Sequence, residues 1–228
     1  MKRLIAIGDI HGCYNELVAL INQIDPTQDD TLIFLGDYID RGPNSAGVIS
    51  LLMGYQKKYS HWKFLLGNHE DLMLDAIGEQ KLYGDYYLWW NQGGKETCKS
   101  YQPLISDYEL ILVKDDIISR EHKDWIKVLD MYYETDEYFF VHAGVKPGIE
   151  PSKTSREDML WIRDEFIDSN YDWGKKIIFG HTPNQRTIGV PIVMGNKIGI
   201  DGAICAPGNE NLIAVDLTNN RFYLQPAL

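Results

Sequence analysis

The sequence of 228 residues predicts an α/β sandwich whose mixed, largely parallel sheets are flanked by helices. Five short runs rich in Ile, Leu and Phe have the length and composition of strands that are buried on both faces. Segments with helical periodicity separate the first runs, and this alternation of strand and helix is typical of the class. No linker or repeat divides the chain, and 44% of its residues are apolar, so we expect one domain over residues 1–228.

The predicted strands, in chain order, are RLIAIG, TLIFLG, WKFLLG, EYFFVH and KKIIFG. The segment YNELVALINQI, between the first two, places apolar side chains at helical spacing, and NSAGVISLLMGYQ repeats that spacing more weakly after the second. The last forty residues return to strand-like runs, TIGVPIVM, KIGIDGA and NLIAVDL. Asn219 and Asn220 predict a hairpin turn before the final run, RFYLQ.

Residues 71–131 differ from the rest of the chain because they contain few strand signals and several helix-like pieces. We therefore expect a helical insertion over the sheet. The insertion includes an aromatic patch, formed by Tyr83, Tyr86, Tyr87, Trp89 and Trp90. These rings either anchor the insertion to the core or contact a substrate by stacking on it.

Charge and cysteine content exclude several classes of protein. The formal net charge of −11 argues against binding to nucleic acid or anionic membranes, because such binding depends on clustered lysine and arginine. Cys13, Cys98 and Cys205 are far apart and form no CxxC pair, so the sequence predicts no disulfide framework. The first apolar run is too short for a signal peptide or a membrane span. We expect a cytoplasmic protein that binds neither nucleic acid nor membrane.

Each of the five apolar runs ends in a polar cluster, and these clusters read GDIHG, GDYIDRG, GNHE, VHAG and GHT. Residues beyond the carboxyl ends of neighbouring strands meet in one crevice, so five separate segments can form one site. An isolated aspartate or histidine at such a place is usually a turn former or a hydrogen-bonded residue, but five coincident clusters favour a site. The side chains offered are Asp9, His11, Asp37, Asp40, Asn68, His69, His142 and His181.

This mixture of carboxylate, imidazole and amide donors suits two first-row divalent metals. Two such ions can clamp both the attacking and the leaving oxygen of a phosphoryl displacement. The remaining histidines, His61 and His122, are surrounded by polar residues in the sequence, and we expect them on the surface.

Together the clusters resemble those of the calcineurin-like metallophosphoesterases, and within that group the bacterial and phage serine/threonine phosphatases of the phosphoprotein phosphatase type. The resemblance extends from Gly8 to Thr182 and implies the metallophosphoesterase β-sandwich, with a phosphorylated protein, peptide or small phosphoester as substrate. It also implies two divalent ions, with Mn²⁺ expected and iron, zinc or nickel as alternatives. One ion would be held by Asp9, His11 and Asp37, and the other by Asp37, Asn68, His142 and His181.

The resemblance further implies that His69 is the general acid for the leaving oxygen and that Asp40 orients its ring. Arg41 would bind the phosphate. The segment LWIRDEF resembles the part of the family that supplies a second phosphate-binding arginine, which here would be Arg163. The alternative for Arg163 is a surface ion pair with an acidic neighbour such as Glu165.

The nearest alternative function is a dinucleoside polyphosphate hydrolase, which GDIHGCYNELVALI also resembles. Those enzymes tend to lack an acid corresponding to Asp40 and to end in GHW, whereas this chain has GHT. A non-catalytic scaffold is disfavoured because every expected ligand, His69 and Arg41 are present. A nuclease is disfavoured by the acidic composition. Two departures from the family are LLGNHE, which lacks an arginine before the glycine, and IDGA at residues 200–203.

Overall fold

The computed structural model describes residues 2–77, 86–104, 106, 117–184, 186–206, 208 and 211–228. In this part of the chain, ten strands form two sheets of five strands each. The first sheet contains, in spatial order, β10 (Arg221–Pro226), β9 (Asn211–Asp216), β1 (Leu4–Ile7), β2 (Thr31–Phe34) and β3 (Lys63–Phe64). The second contains β4 (Tyr132–Glu134), β5 (Tyr138–Val141), β6 (Lys176–Phe179), β8 (Lys197–Gly199) and β7 (Ile192–Met194).

Both sheets are mixed, as the sequence predicts. Strands β1, β2 and β3 run parallel, while β9 and β10 add antiparallel strands beside β1. In the second sheet β5, β6 and β8 are parallel, and the outer strands β4 and β7 are antiparallel. The five apolar runs are strands β1, β2, β3, β5 and β6. The first three belong to one sheet and the last two to the other, so the predicted crevice lies between the edges of two sheets.

Helices α1 (Tyr14–Ile24) and α2 (Ser45–Lys58) follow β1 and β2, as the helical periodicity predicts. Helix α3 (Asn68–Ala76) begins inside the GNHE cluster, which makes Asn68 and His69 its first two residues. Between β5 and β6 lie a short 3₁₀ turn (Pro151–Lys153), α7 (Arg156–Trp161) and α8 (Asp164–Ile167). None of the helices in the described ranges combines the length and apolarity that crossing a membrane requires.

The described part of residues 71–131 is helical, as expected. After α3 it contains α4 (Tyr86–Trp89), a turn over Trp90–Gly94, α5 (Lys95–Tyr101) and α6 (Arg120–Lys127). Within the aromatic patch, Tyr83 lies outside the described residues, Tyr86 and Trp89 are buried in the core, and Tyr87 is exposed. The buried rings therefore anchor the insertion.

The core has three apolar layers because side chains alternate between the two faces of each strand. In β1, Ala6 faces the other sheet and packs in a cluster with residues of β5, β6 and β8 such as Phe140 and Ile178. Ile5 and Ile7 point the opposite way, into the cluster formed with α1, α2, α3 and the insertion. A third cluster joins the outer face of the second sheet to α7 and α8. The order helices, sheet, sheet, helices is that of a sandwich.

Candidate active site

All five polar clusters meet where the carboxyl ends of β1, β2, β3, β5 and β6 lie together. The backbone N–H groups of Ile10 and His11 donate to the carbonyl of Asp37, at 2.9 and 2.8 Å, which joins the first two clusters. The N–H of His181 donates to an Asp9 carboxylate oxygen at 3.0 Å, which brings in the last cluster. The convergence predicted from the sequence is therefore present in the structure.

The backbone at this edge is unusual. Residues other than glycine rarely have φ and ψ in the left-handed region, and each such residue costs about 1–3 kcal/mol. Several site residues have positive φ values, namely His11 (46°), Asp37 (51°), Asp40 (72°), Arg41 (66°) and His181 (60°). Such strain persists only when surrounding contacts determine the conformation, so this edge is held by its neighbours.

Glu70 provides much of that support, although the sequence analysis assigned it no role. Its side chain accepts hydrogen bonds from the backbone N–H groups of Asp37 (2.9 Å), Tyr38 (2.8 Å) and Gly67 (3.0 Å). Glu70 is the third residue of α3, where a glutamate commonly caps the helix by bonding back to the preceding backbone. The capping position in GNHE was the signal that could have revealed this role.

Asp37 lies at the centre of the site. Its Oδ2 atom is 3.6 Å from His11 Nε2 and 3.9 Å from His69 Nε2, while its Oδ1 atom is 3.4 Å from His142 Nε2. Burial by itself would raise the pKa of Asp37, but the surrounding histidines, led by His142, hold this pKa well below its usual range. One carboxylate therefore offers an oxygen to each side of the site.

Two groups of side chains in the described residues could each hold a metal ion, and Asp37 belongs to both. One group is His11, Asp37 and His69, and the other is Asp37, His142 and His181, with ligand atoms within 4.8 Å of one another. The first group differs from the ligand set that the family resemblance implies. The resemblance gives Asp9, His11 and Asp37, whereas the geometry groups His69 with His11 and Asp37. The role of His69 is therefore a point to test.

The hydrogen bonds of the histidines fit metal binding. The Nδ1 atoms of His11 and His142 lie 2.9 Å from the backbone carbonyls of Ile39 and Leu35, which only accept hydrogen bonds, so each Nδ1 carries the proton. Burial lowers the pKa of both rings, which favours an unprotonated Nε2 with its lone pair available. Asn68 Oδ1 lies 2.8 Å from His142 Nε2 and 2.9 Å from His181 Nδ1, so one amide and two imidazoles meet at the same point. Amide oxygen and imidazole nitrogen are both ligands of divalent metals.

Two further observations support the same conclusion. His181 Nε2 is buried and has no hydrogen-bond partner in the described part of the chain. Burial, together with the charges of Asp201 and Asp37, raises the pKa of Asp9 well above its usual value, and burial raises the pKa of Asp201 to about 6. A buried space that collects three carboxylates and several imidazoles is suited to divalent cations. Each of the two groups offers a place for one such ion.

Asp201 is a site residue that the sequence analysis did not assign. It follows β8 in the segment IDGA, and it lines a cavity of about 410 Å³ together with His11, Arg41, Arg163 and His181. The available signal was the same as for the other clusters, because KIGI is also an apolar run that ends in an aspartate.

Asp40 and His69 form a buried pair. His69 Nδ1 lies 2.7 Å from Asp40 Oδ2. Asp40 also accepts hydrogen bonds from Trp89 Nε1 (3.0 Å) and Thr97 Oγ1 (2.6 Å), both of which belong to the insertion. Burial lowers the pKa of His69, but the charge of Asp37 and the bond to Asp40 outweigh it, so the pKa is raised overall. The insertion thus fixes the carboxylate that contacts His69.

Arg41 extends across the site. Its Nη1 and Nη2 atoms lie 2.7 Å from His11 Nε2 and 2.8 Å from His69 Nε2, respectively. Its backbone N–H donates to the carbonyl of Gly93 at 3.3 Å, and a Cβ atom on Gly93 would lie 2.4 Å from that same nitrogen. Close approach of the insertion to Arg41 therefore requires glycine at position 93, where φ is 114°.

Arg163 also reaches the site, since its Nη1 atom donates to the backbone carbonyl of His181 at 3.0 Å. Glu165, the alternative ion-pair partner considered from the sequence, instead pairs with Lys146, with 2.6 Å between Nζ and Oε2. The guanidinium groups of Arg41 and Arg163 border the same cavity, where two fixed positive charges can bind an anion.

His61 and His122 lie outside the site, as the sequence analysis expects, and both are partly exposed. His61 Nε2 lies 2.8 Å from the carbonyl of Asp30, and His122 Nδ1 lies 2.7 Å from the hydroxyl of Tyr101. Each ring therefore has a hydrogen-bond partner away from the site.

The family model of the calcineurin-like phosphoesterases matches residues 2–222, so the chain belongs to this family. It is therefore a metallophosphoesterase, a hydrolase of phosphoesters. This agrees with the two mixed sheets and with the metal-binding clusters at their shared edge.

Relatives of two kinds are similar to this chain. It is 28% identical over 191 residues to Serine/threonine-protein phosphatase 1 of Salmonella typhimurium (strain LT2), and the match covers 81% of each chain. It is 44% identical over 180 residues to a symmetrical bis(5'-nucleosyl)-tetraphosphatase of Enterobacter sp. (strain 638), with 78% of this chain and 56% of the relative covered. The crystal structure of a proposed diadenosine tetraphosphatase superimposes with a TM-score of 0.70 at 20% identity, covering 100% of this chain and 94% of the other.

Proposed function

We propose that the protein is a dinuclear-metal phosphomonoesterase whose substrates are proteins or peptides phosphorylated on serine or threonine. The observation that carries this proposal is the buried pair of Asp40 and His69, whose ring nitrogen and carboxylate oxygen are 2.7 Å apart. This pair fixes the orientation of the His69 ring at the edge of the metal clusters, where Nε2 lies 3.9 Å from Asp37 Oδ2.

In this proposal the first metal is held by Asp9, His11 and Asp37, and the second by Asp37, Asn68, His142 and His181. When bound, the two ions, of which Mn²⁺ is the expected identity, provide a water-derived nucleophile at neutral pH and neutralise charge on the phosphate. Asp37 would offer one oxygen to each ion, since its two oxygens face different histidines.

The protein's own residues complete the site. Arg41 and Arg163 bind the phosphate oxygens with guanidinium groups that stay charged throughout the reaction. His69 would give a proton to the leaving oxygen from Nε2, because Nδ1 is occupied by Asp40. In the structure Nε2 accepts from Arg41 Nη2 at 2.8 Å, so Arg41 must turn from the ring to the phosphate before Nε2 can carry that proton. Asp40 holds the ring in place and is itself held by Trp89 and Thr97.

The need for a proton donor favours phosphoserine and phosphothreonine over polyphosphate. A serine or threonine alkoxide is a poor leaving group, so its departure depends on general-acid catalysis. A nucleotide polyphosphate leaves as a stabilised anion and needs much less help. A site that buries Asp40 and fixes it with hydrogen bonds from two other side chains is therefore suited to alkyl phosphate esters. The similarity to the Salmonella phosphatase supports the same substrate class.

The second candidate is hydrolysis of dinucleoside polyphosphates such as diadenosine tetraphosphate. The observation in its favour is the 44% identity to the Enterobacter tetraphosphatase over 180 residues. Both functions would use the same metals and arginines, so the substrate preference must be measured directly.

The test compares kcat/KM of the purified, Mn²⁺-loaded chain on phosphoserine, phosphothreonine and phosphotyrosine peptides and on diadenosine tetraphosphate. We expect the phosphoserine and phosphothreonine peptides to be the better substrates by at least tenfold, which corresponds to about 1.4 kcal/mol of transition-state stabilisation. Asp40→Asn is the matched variant and should lose more activity on the peptides than on diadenosine tetraphosphate. A tenfold preference for diadenosine tetraphosphate would replace the proposal with the second candidate.

A further inference from the structure

Two cysteines that are distant in sequence lie side by side at the active site. The Sγ atoms of Cys13 and Cys205 are 3.2 Å apart, although 192 positions separate the residues. Both are thiols in the structure. Sulfur atoms at this separation are closer than ordinary van der Waals contact and need to approach by only about 1.2 Å to reach the bond length of about 2.05 Å found in disulfides.

The position of this pair connects it to the site. Cys13 is two residues after His11 and directly precedes α1, and its side chain is 6% exposed. The Cys205 Sγ atom donates to the backbone carbonyl of His11 at 3.4 Å. Cys205 is half-buried and borders the cavity that also contains Arg41 and Arg163. A small oxidant that enters the cavity therefore meets Cys205 first, with Cys13 directly behind it.

We propose that Cys13 and Cys205 form a redox modification site, which a peroxide oxidises to a disulfide. In the first step the Cys205 sulfur attacks one oxygen of hydrogen peroxide, the O–O bond breaks, and a sulfenic acid and one water form. In the second step the Cys13 sulfur attacks the Cys205 sulfur, the S–O bond breaks, and a disulfide and a second water form. The two thiols lose two electrons and two protons, and the peroxide is reduced to two waters.

Formation of this bond should lower phosphoesterase activity. The turn that carries Cys13 also carries His11, and Cys205 already contacts the His11 carbonyl. Drawing the two sulfurs together by about 1 Å pulls on this turn, and displacements of about 1 Å in a catalytic site can reduce rates about 100-fold. This consequence rests on the proposed role of His11 as a metal ligand, whereas disulfide formation itself does not.

The experiment treats the full-length, Mn²⁺-loaded chain with hydrogen peroxide and then blocks the remaining thiols before digestion with trypsin. The three cysteines fall on three different tryptic peptides, residues 4–41, 96–99 and 198–221. We expect the peptide 4–41 to be linked to 198–221, while Cys98 in the peptide 96–99 is alkylated. Activity on p-nitrophenyl phosphate should fall at least tenfold and return after dithiothreitol. This substrate does not depend on the protein-phosphatase proposal.

Two variants separate the pair from other effects of peroxide. Cys205→Ser should form no linked peptides and should retain, after peroxide, the activity that the same variant has before treatment, whereas Cys98→Ser should behave like the wild type. Absence of the linked peptides at full oxidation of Cys205 would overturn the proposed site. If peroxide inactivated Cys205→Ser as strongly and as reversibly as the wild type, the proposed effect of the disulfide on activity would be overturned. The loss would then arise elsewhere, for example at the metals.

Discussion

The Oδ2 atom of Asp40 lies 2.7 Å from the Nδ1 atom of His69, and both side chains are buried. A carboxylate in this position fixes the orientation of the ring and favours its protonated form. The same carboxylate receives hydrogen bonds from Trp89 and Thr97, which lie 49 and 57 positions further along the chain. The helical insertion therefore does more than cover the sheet, because it sets the geometry of the proposed acid.

Trp89→Phe is the direct test of that contribution. It removes the N–H that donates to Asp40 at 3.0 Å and keeps an aromatic ring in the core. We expect kcat on a phosphoserine peptide to fall about tenfold, in line with the loss of other supporting hydrogen bonds around catalytic groups. The fall on p-nitrophenyl phosphate should be smaller, since nitrophenolate leaves without much help. Steady-state kinetics on the two substrates measure this difference.

Trp62→Phe is the matched control for the loss of a buried tryptophan hydrogen bond. Trp62 Nε1 donates to the carbonyl of Asp30 at 2.9 Å, away from the site. The control should reduce stability without changing the ratio of activities on the two substrates. An identical fall on both substrates for Trp89→Phe would show that Trp89 only supports the fold.

Gly93→Ala should weaken phosphate binding by Arg41. A Cβ atom at position 93 would lie 2.4 Å from the Arg41 backbone nitrogen, and φ at this glycine is 114°, so the insertion must shift away. We expect kcat/KM to fall at least tenfold. Gly54→Ala is the control, because a Cβ at position 54 meets no atom within 4 Å. Unchanged kinetics in Gly93→Ala, with a folded protein by circular dichroism, would contradict the role given to this contact.

Asp37→Asn should reduce metal content more than any other single ligand change, since Asp37 belongs to both metal-binding groups. We expect two divalent ions per reconstituted wild-type chain, measured by elemental analysis after removal of unbound metal. The variant should hold fewer than two ions and be inactive, and a chelator should inactivate the wild type. Asp124→Asn, an exposed position on α6, should keep both ions. One ion at saturation in a fully active wild type would rule out the two-metal proposal.

Much of the site is predictable because each strand and its polar cluster are adjacent in sequence. The apolar runs identify β1, β2, β3, β5 and β6, and the clusters that follow them contain Asp37, His142 and the other proposed ligands. The Mn²⁺ identity, the domain boundaries and the cytoplasmic location stay predictions.

Contacts between distant segments were not predictable in this way. The proximity of Cys13 to Cys205, and of Trp89 to Asp40, depends on how the insertion and the C-terminal strands pack on the first sheet. No local pattern encodes that packing. The division of the predicted strands between two sheets could not be predicted either. The sequence of a parallel strand does not identify the strand that pairs with it.

Asp30→Asn should destabilise the fold in a pH-dependent manner. Asp30 is buried at the start of β2 and accepts hydrogen bonds from Arg3 Nη2 (2.7 Å), the Arg3 backbone N–H (2.8 Å) and the Thr27 N–H (2.8 Å). Burial would raise the pKa of Asp30, but these bonds hold it well below its usual range. We expect the substitution to lower the free energy of unfolding by about 2 kcal/mol at pH 7.

The depressed pKa fixes the sign of the pH effect. The carboxylate stabilises the folded state fully above its unfolded pKa of about 3.9, and this stabilisation is lost as the pH falls toward the folded pKa. The difference between wild type and variant should therefore shrink by about 1 kcal/mol between pH 7 and pH 3. Urea denaturation at both pH values measures it, with the exposed Asp29→Asn as control. A difference that is the same at both pH values would contradict the assignment.

His69→Asn tests the general acid, and its outcome separates proton transfer from metal binding. The Nε2 atom of His69 is 3.9 Å from Asp37 Oδ2, close enough for the ring to be a ligand, while Nδ1 is bound to Asp40 as a positioned acid would be. If His69 is the acid, the variant keeps both metals and loses about 10²–10⁴-fold in kcat on a phosphoserine peptide. It should lose distinctly less on p-nitrophenyl phosphate, because the leaving nitrophenolate needs little protonation. Metal content and kinetics are measured on the same preparation. Equal losses on both substrates, together with a missing ion, would instead identify His69 as a ligand.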